Sequence, residues 1–310
     1  MPLNLYLQGI PMRFGLCCIF VAEPVSFRTT TAKALSALTR REALARVAGI
    51  CLHNAVNLLQ AVRTCQRLGI GAFRITSPLF PRMTHPQVGY RLEDLPEAEA
   101  ITSHLEATRT FALEHDIRLS FHPDQFVVLS SPHAHVVESS VRELVYQAFL
   151  ADMVGADVIN IHAGGAYNDK TAALKRLASV IRGLPENVAS RLTLENDDVT
   201  YTVRDLLPTC ADLGLPLVYD VHHHRCNPDG MDEAETTGLA AATWEGREQY
   251  CHLSSPHGGW QGNPRPHADY IDPADVPACW VGRPVTVDVE AKAKELAVVR
   301  LMAHLEGRPT

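Results

Sequence analysis

Six apolar runs in this 310-residue chain end in a histidine or a carboxylate. They end in His122 (SFHPD), His162 (NIHAGG), Glu195 (TLEND), Asp220 (VYDV), His252 (YCHLSS) and Glu290 (VDVEAK). His85 follows a further run, and His267 lies in a long polar connection. Three consecutive histidines, His222, His223 and His224, come just behind Asp220. Each residue alone has a plain structural reading. A histidine at a strand end is more often a hydrogen-bonded structural residue than a ligand. Glu195 and Glu290 fit as partners of ion pairs or neighbours of helix starts. Asp220 fits as an acceptor for the amides of the next turn. Chance explains any one of them but poorly explains the set. Packing so many ionisable groups at one rim is costly without a cation.

The candidate ligands are imidazoles and carboxylates, with no thiolate. That set suits Mn²⁺, Zn²⁺ or Fe²⁺ better than a structural cysteine-zinc site. The candidates exceed the needs of one ion, so two or three divalent ions are expected. Such clusters activate a water and clamp both oxygens of an in-line phosphoryl displacement. Phosphodiester hydrolysis is therefore the expected reaction class, with isomerisation of a sugar on a metal pair as the alternative. A serine or cysteine nucleophile is not indicated. No GxSxG elbow is present. Cys251 precedes His252 directly, and adjacent strand residues face opposite ways, so it reads as a packed thiol.

Convergence of these residues requires strands whose ends share a rim. Eight β-branched or apolar segments begin at Arg13, Gly71, Arg118, Asp157, Arg191, Pro216, Gln249 and Pro284. Amphipathic stretches lie between most of them; one ends at Gly69, a plausible helix C-cap, and another ends at Gly155. Strand followed by helix, eight times, predicts a single-domain α/β fold, the (β/α)8 TIM barrel. An open doubly wound sheet uses the same units, but no GxGxxG or P-loop follows any strand. Residues 1–12 read as an N-terminal extension before an alternative start at Met12, 13–305 as the barrel and 306–310 as a tail. The Pro/Gly-rich connection 256–283 is long enough to be functional or mobile.

The composition is ordinary for a globular chain, and a net charge of −7 argues against a generally basic nucleic-acid binder. It leaves room for a local basic groove, or for bound cations that invert the field of a site. No uninterrupted apolar run is long enough for a membrane span. The first eleven residues lack the basic start and cleavage site of a signal peptide. Most of the eight cysteines lie inside apolar runs and none forms a CxxC pair, which reads as reduced thiols in the cytoplasm.

Eight motifs in order make a more specific pattern. They are FRITSPLFPRMTHP (73–86), SFHPDQF (120–126), IHAGGAYNDK (161–170), LTLEND (192–197), YDVHHHRCNP (219–228), HLSSP (252–256), HADYI (267–271) and DVEAKAKE (288–295). With these the chain resembles the UV damage endonuclease family, TIM-barrel relatives of endonuclease IV. The resemblance implies a manganese-dependent enzyme, with zinc or iron as alternatives. It implies a cut in damaged double-stranded DNA 5′ to UV photoproducts, and often to abasic sites, leaving a 3′-hydroxyl and a 5′-phosphate. A bacterial nucleoid-associated monomer is the expected form.

Carried onto this sequence, the resemblance gives His122 and His162 to one ion, with Glu195 bridging to a second. Asp220, His252 and Glu290 complete the second, and His223, His267 and His85 serve a third. It makes Gln125 and Phe126 a wedge at the lesion, where an amide and a ring fill the gap left by unstacked bases. The family has tyrosine where Phe126 stands, and the plain reading of Phe126 is core. Lys170, Arg74 and Arg82 are the candidates for phosphate contacts, with solvated surface charge as the equal alternative. Tyr250 stands where the family carries a catalytic lysine that can be carboxylated. Tyrosine cannot form a carbamate, so Tyr250 is expected to ligate or hydrogen-bond there. It also keeps open a lesion-binding relative with lost catalysis. The segment CIFVAEPVSFRTTT departs from the family too, which has asparagine after the cysteine. Strand alternation pairs Asp220 with His222. The family motif instead selects His223, which requires the strand to end near Val221.

Overall fold

Alternation along the strands divides the side chains between two environments. Phe73, Leu119, Phe121, Ile159, Ile161, Leu194, Leu217, Tyr219, Cys251, Leu253, Val287 and Val289 join the large core packed against the helices. The residues between them face the barrel axis. The computed structural model describes residues 12–308. The strands are β1 (Met12–Cys17), β2 (Ala72–Ile75), β3 (Arg118–Phe121), β4 (Val158–His162), β5 (Leu192–Glu195), β6 (Leu217–Asp220), β7 (Gln249–Leu253) and β8 (Val285–Val289). They pair in parallel in chain order and β8 returns to β1, closing the barrel. Met12 is already part of it, opposite Val285. The rest of the expected N-terminal extension, residues 1–11, lies outside the described residues.

The helices start and stop where local chemistry dictates. The 29-residue helix Arg40–Leu68 opens on a reciprocal capping box between Thr39 and Glu42. It stops at Gly69, whose φ of 76° is a conformation that only glycine adopts without penalty. The seventh strand departs from the expected rhythm. Between β7 and β8 the chain forms two short 3₁₀ turns, Pro273–Asp275 and Ala278–Trp280, and no α-helix. Pro264, Pro266, Pro273 and Pro277 interrupt any helical run in that connection.

The barrel interior has an apolar base and a polar upper part. Val158, Val218, Trp244 and Tyr250 form a second, smaller apolar cluster. Arg118 stacks over the rings of Tyr250 and Trp244, at 4.6 and 5.4 Å, and its Nη1 donates to the Glu248 carbonyl and Thr286 Oγ1. Above this floor stand the strand ends that carry the ionisable residues. No described helix is long and apolar enough to cross a membrane.

Candidate metal centre

Glu195, the last residue of β5 and 1% exposed, stands at the centre. Its Oε2 lies 2.9 Å from His122 Nε2 and 3.8 Å from His162 Nε2. Its Oε1 lies 3.1 Å from His252 Nδ1 and 3.4 Å from His223 Nδ1. The carboxylate is aimed from below. Asn160 Nδ2 donates to Glu195 Oε2 at 2.5 Å, and Thr193 donates to Asn160 Oδ1 at 2.9 Å. Two groups have donor atoms close enough to share an ion: His122, Glu195 and His252, and His162, Glu195 and His223. Both run through Glu195, the residue expected to bridge. They pair the histidines crosswise to the expected grouping, while Glu195 Oε2 itself faces the expected pair, His122 and His162, and Oε1 faces His252 and His223. His122 and His162 remain neighbours, with ring centres 5.2 Å apart.

Asp220 ends β6, and a helix, Val221–Cys226, begins at once. Asp220 Oδ1 caps that helix by accepting from the His223 amide at 2.7 Å. Its Oδ2 is buried without a hydrogen-bond partner, 3.4 Å from His223 Nδ1 and 4.0 Å from His252 Nδ1. Asn196 clamps the backbone on both sides, accepting from the Asp220 amide and donating to its carbonyl. The abrupt strand-to-helix turn brings His223, rather than His222, to Asp220. Of the other two histidines, His224 pairs with the Tyr219 hydroxyl at 2.6 Å, and His222 is buried with neither ring nitrogen hydrogen-bonded.

Glu290, just past β8, places Oε1 3.5 Å from His252 Nδ1 and Oε2 3.7 Å from His267 Nδ1. Of the expected ligands, seven form this linked cluster around Glu195, namely His122, His162, Asp220, His223, His252, His267 and Glu290. His85 does not join it: its Nδ1 accepts from the amides of Gln87 and Val88.

Burial would raise the Glu195 carboxyl. His252 and His162, with hydrogen bonds from His122 and His223, instead hold it well below the usual carboxylate range. Burial would likewise lower His252, but Glu195 and Glu290 bring it to about 9. His223 is also raised, against burial, by Asp220 and Glu195. Burial dominates at His122 and lowers it despite Glu195. The cluster thus concentrates negative charge that protons or cations must balance.

The family model described as UV-endonuclease UvdE matches residues 12–309. The chain belongs to this family. The UV DNA damage endonuclease of Bacillus velezensis is 33% identical over 310 residues, covering 95% of this chain and 94% of that one. The crystal structure of SacUVDE superposes with a TM-score of 0.83 at 28% identity, covering 96% of this chain and 98% of that one. Endonuclease IV from Thermus thermophilus shares the fold, with a TM-score of 0.60 at 17% identity over 95% and 99% of the two chains.

In this member of the UvdE family, Tyr250 lies beneath the cluster. Its hydroxyl reaches across the barrel to Ser120 Oγ at 3.2 Å and Asp288 Oδ1 at 3.3 Å. Burial pushes the phenol well above its ordinary value, so it stays a hydrogen-bond donor. Arg74, expected at phosphates, is turned inward: Nη1 lies 2.6 Å from Glu290 Oε1, and Nε 4.0 Å from Asp288 Oδ2. Phe126 is 76% exposed while Val127 and Leu129 are buried, so the ring leaves the core that its apolar neighbours join. Gln125 beside it is also exposed. Lys170 pairs with Asp205 at 2.8 Å, and Arg82 donates to the Thr30 carbonyl at 3.1 Å.

Asp288, Asn160 and Asn196 escaped the sequence reading. The first two had a usable signal. Asp288 and Asn160 stand two residues before Glu290 and His162, on the same face of their strands. Asp288 packs against Gly15, where a β-carbon would collide with its Oδ1.

Proposed function

We propose that this UvdE-family protein is a metal-dependent DNA repair endonuclease that hydrolyses the phosphodiester bond 5′ to UV photoproducts in duplex DNA. The products would be a 3′-hydroxyl and a 5′-phosphate, and abasic sites are a second class of substrate. The observation that supports this most is the buried Glu195 carboxylate shared by four imidazoles, beside the unpartnered Asp220 Oδ2. These donors fit two or three divalent ions, with manganese first and zinc or iron as alternatives. His122, His162 and Glu195 would hold one ion, and Glu195, Asp220, His252 and Glu290 a second. His223 and His267 would serve a third, with His85 at its edge. Ions bound by these residues would supply an activated water and neutralise charge on the phosphate oxygens.

The chain's own residues do the rest. Asn160 fixes Glu195, and Asn196 fixes the Asp220 backbone. Phe126, exposed beside Gln125, is free to enter the gap between unstacked bases. Lys170 and Arg82 contact phosphates, so affinity falls with salt. Arg74 acts on Glu290, and Tyr250 supports the floor in place of a ligating lysine. That supporting role favours a working enzyme over a relative that only binds lesions. The protein acts as a monomer in the cytoplasm, at the nucleoid.

The test is a duplex of defined sequence with one thymine dimer, labelled at either end and incubated with Mn²⁺. A single cut at the phosphate 5′ to the dimer, with products that a polymerase extends without prior treatment, supports the assignment. An intact duplex, with metal occupancy verified, sinks it.

A further inference from the structure

The connection after β7 carries an aromatic side chain that neither the barrel core nor the metal cluster explains. The chain folds back on itself there. Pro256 pairs with His267 in an antiparallel bridge, and the His257 amide donates to the Pro266 carbonyl at 2.7 Å. The same fold-back that delivers His267 to Glu290 therefore also carries Trp260. The indole is fixed in place. Its Nε1 donates to Asp275 Oδ1 at 2.9 Å, Arg225 lies 5.5 Å above the ring, and the buried His222 ring is 5.3 Å away. Asp275 is itself held by Ser255 and Arg225, and Arg225 by Glu233. Trp260 nonetheless remains 37% exposed, whereas Trp244 and Trp280 are fully buried.

Several contacts thus hold in advance a ring that is left partly open to solvent. His222 links it to the cluster, because the His222 ring lies 5.1 Å from His267 and 6.4 Å from His223. With its only donor committed to Asp275, the indole offers a partner ring surface and no hydrogen bond. Ring surface recognises a nucleobase by stacking, with little regard to sequence. That suits a protein whose lesion sits in arbitrary flanking sequence.

We propose that Trp260 is a stacking platform for an unstacked nucleobase of the bound DNA, on the β7 side of the metal centre. This rests on the endonuclease reading above. The buried Trp244 and Trp280 leave Trp260 as the tryptophan whose emission a bound base can reach. The probe is a duplex with one thymine dimer and a phosphorothioate at the scissile linkage to slow cleavage. Binding is read by anisotropy of a distal label, and stacking by tryptophan emission in the same titration. Emission is expected to fall with the anisotropy midpoint, and Trp260→Phe to abolish the fall while changing affinity little. Trp260→Ala is expected to weaken binding by about 5- to 150-fold, the range of one base–aromatic stack. Binding with unchanged emission, or a fall that persists in Trp260→Phe, overturns the platform alone. A lack of binding by anisotropy overturns the endonuclease reading and the platform with it.

Discussion

Arg74 Nη1 lies 2.6 Å from Glu290 Oε1, with both side chains largely buried at the top of the barrel. Arg74 also faces the Asp288 carboxylate at 4.0 Å. One guanidinium therefore serves two carboxylates, and it holds Glu290 so that Oε2 remains turned toward His267. Removing one partner of such a buried set leaves uncompensated charge, at a cost of about 3–5 kcal/mol. Arg74→Ala is expected to lower the Tm by roughly 5–10 °C, read by calorimetry. Arg74→Lys keeps the charge without the fork and should lose less. A wild-type Tm in Arg74→Ala would show that the pair contributes nothing to the fold.

Asn160 aims Glu195 without being a candidate ligand itself, since its amide nitrogen faces Oε2. Partners of this kind typically matter by about 10- to 100-fold in metal affinity or activity. Asn160→Ala should weaken Mn²⁺ binding within that range, measured by competition with a chelating dye. Asn160→Asp should weaken it more, because a second carboxylate would face Glu195 where a donor now stands. Equal affinity in all three proteins would rule out this orienting role.

Tyr250 is a support under the cluster. Tyr250→Phe keeps the ring beneath Arg118 and removes only the hydroxyl, whose single proton is shared between Ser120 Oγ and Asp288 Oδ1. The expected loss is about 1–3 kcal/mol of stability. Cleavage should fall by less than about tenfold, because a group that touches no reacting atom contributes only through positioning. Loss of all cleavage in a folded Tyr250→Phe protein would instead give the hydroxyl a direct part in the reaction.

The strand ends are legible in the sequence because each sums two local signals, an apolar run and a polar residue that closes it. The barrel follows from their number and spacing. Local conformation decides what is not legible. His223 reaches Asp220 only because the strand turns into a helix with no intervening loop, so helical spacing replaces the alternation that favours His222. Arg74 reads as a surface cation from its type alone. Its inward course depends on Glu290 and Asp288, both more than 200 positions away in the chain. Phe126 shows the reverse: its apolar neighbours suggest core, while the Asp124 side chain takes its amide in a tight turn that leaves the ring outside.

The central claim is that divalent ions gathered around Glu195 drive strand cleavage at UV damage. The most direct measurement strips the protein of metal with a chelator and returns Mn²⁺ in steps. Bound metal per chain and nicking of UV-irradiated supercoiled plasmid are then followed together, for the native protein and for Glu195→Gln. Nicking should appear only with irradiated plasmid and rise in step with bound metal. In Glu195→Gln both should be lost, while the thermal transition confirms that the protein is folded. Undiminished nicking by the stripped protein, or by Glu195→Gln, would contradict the account.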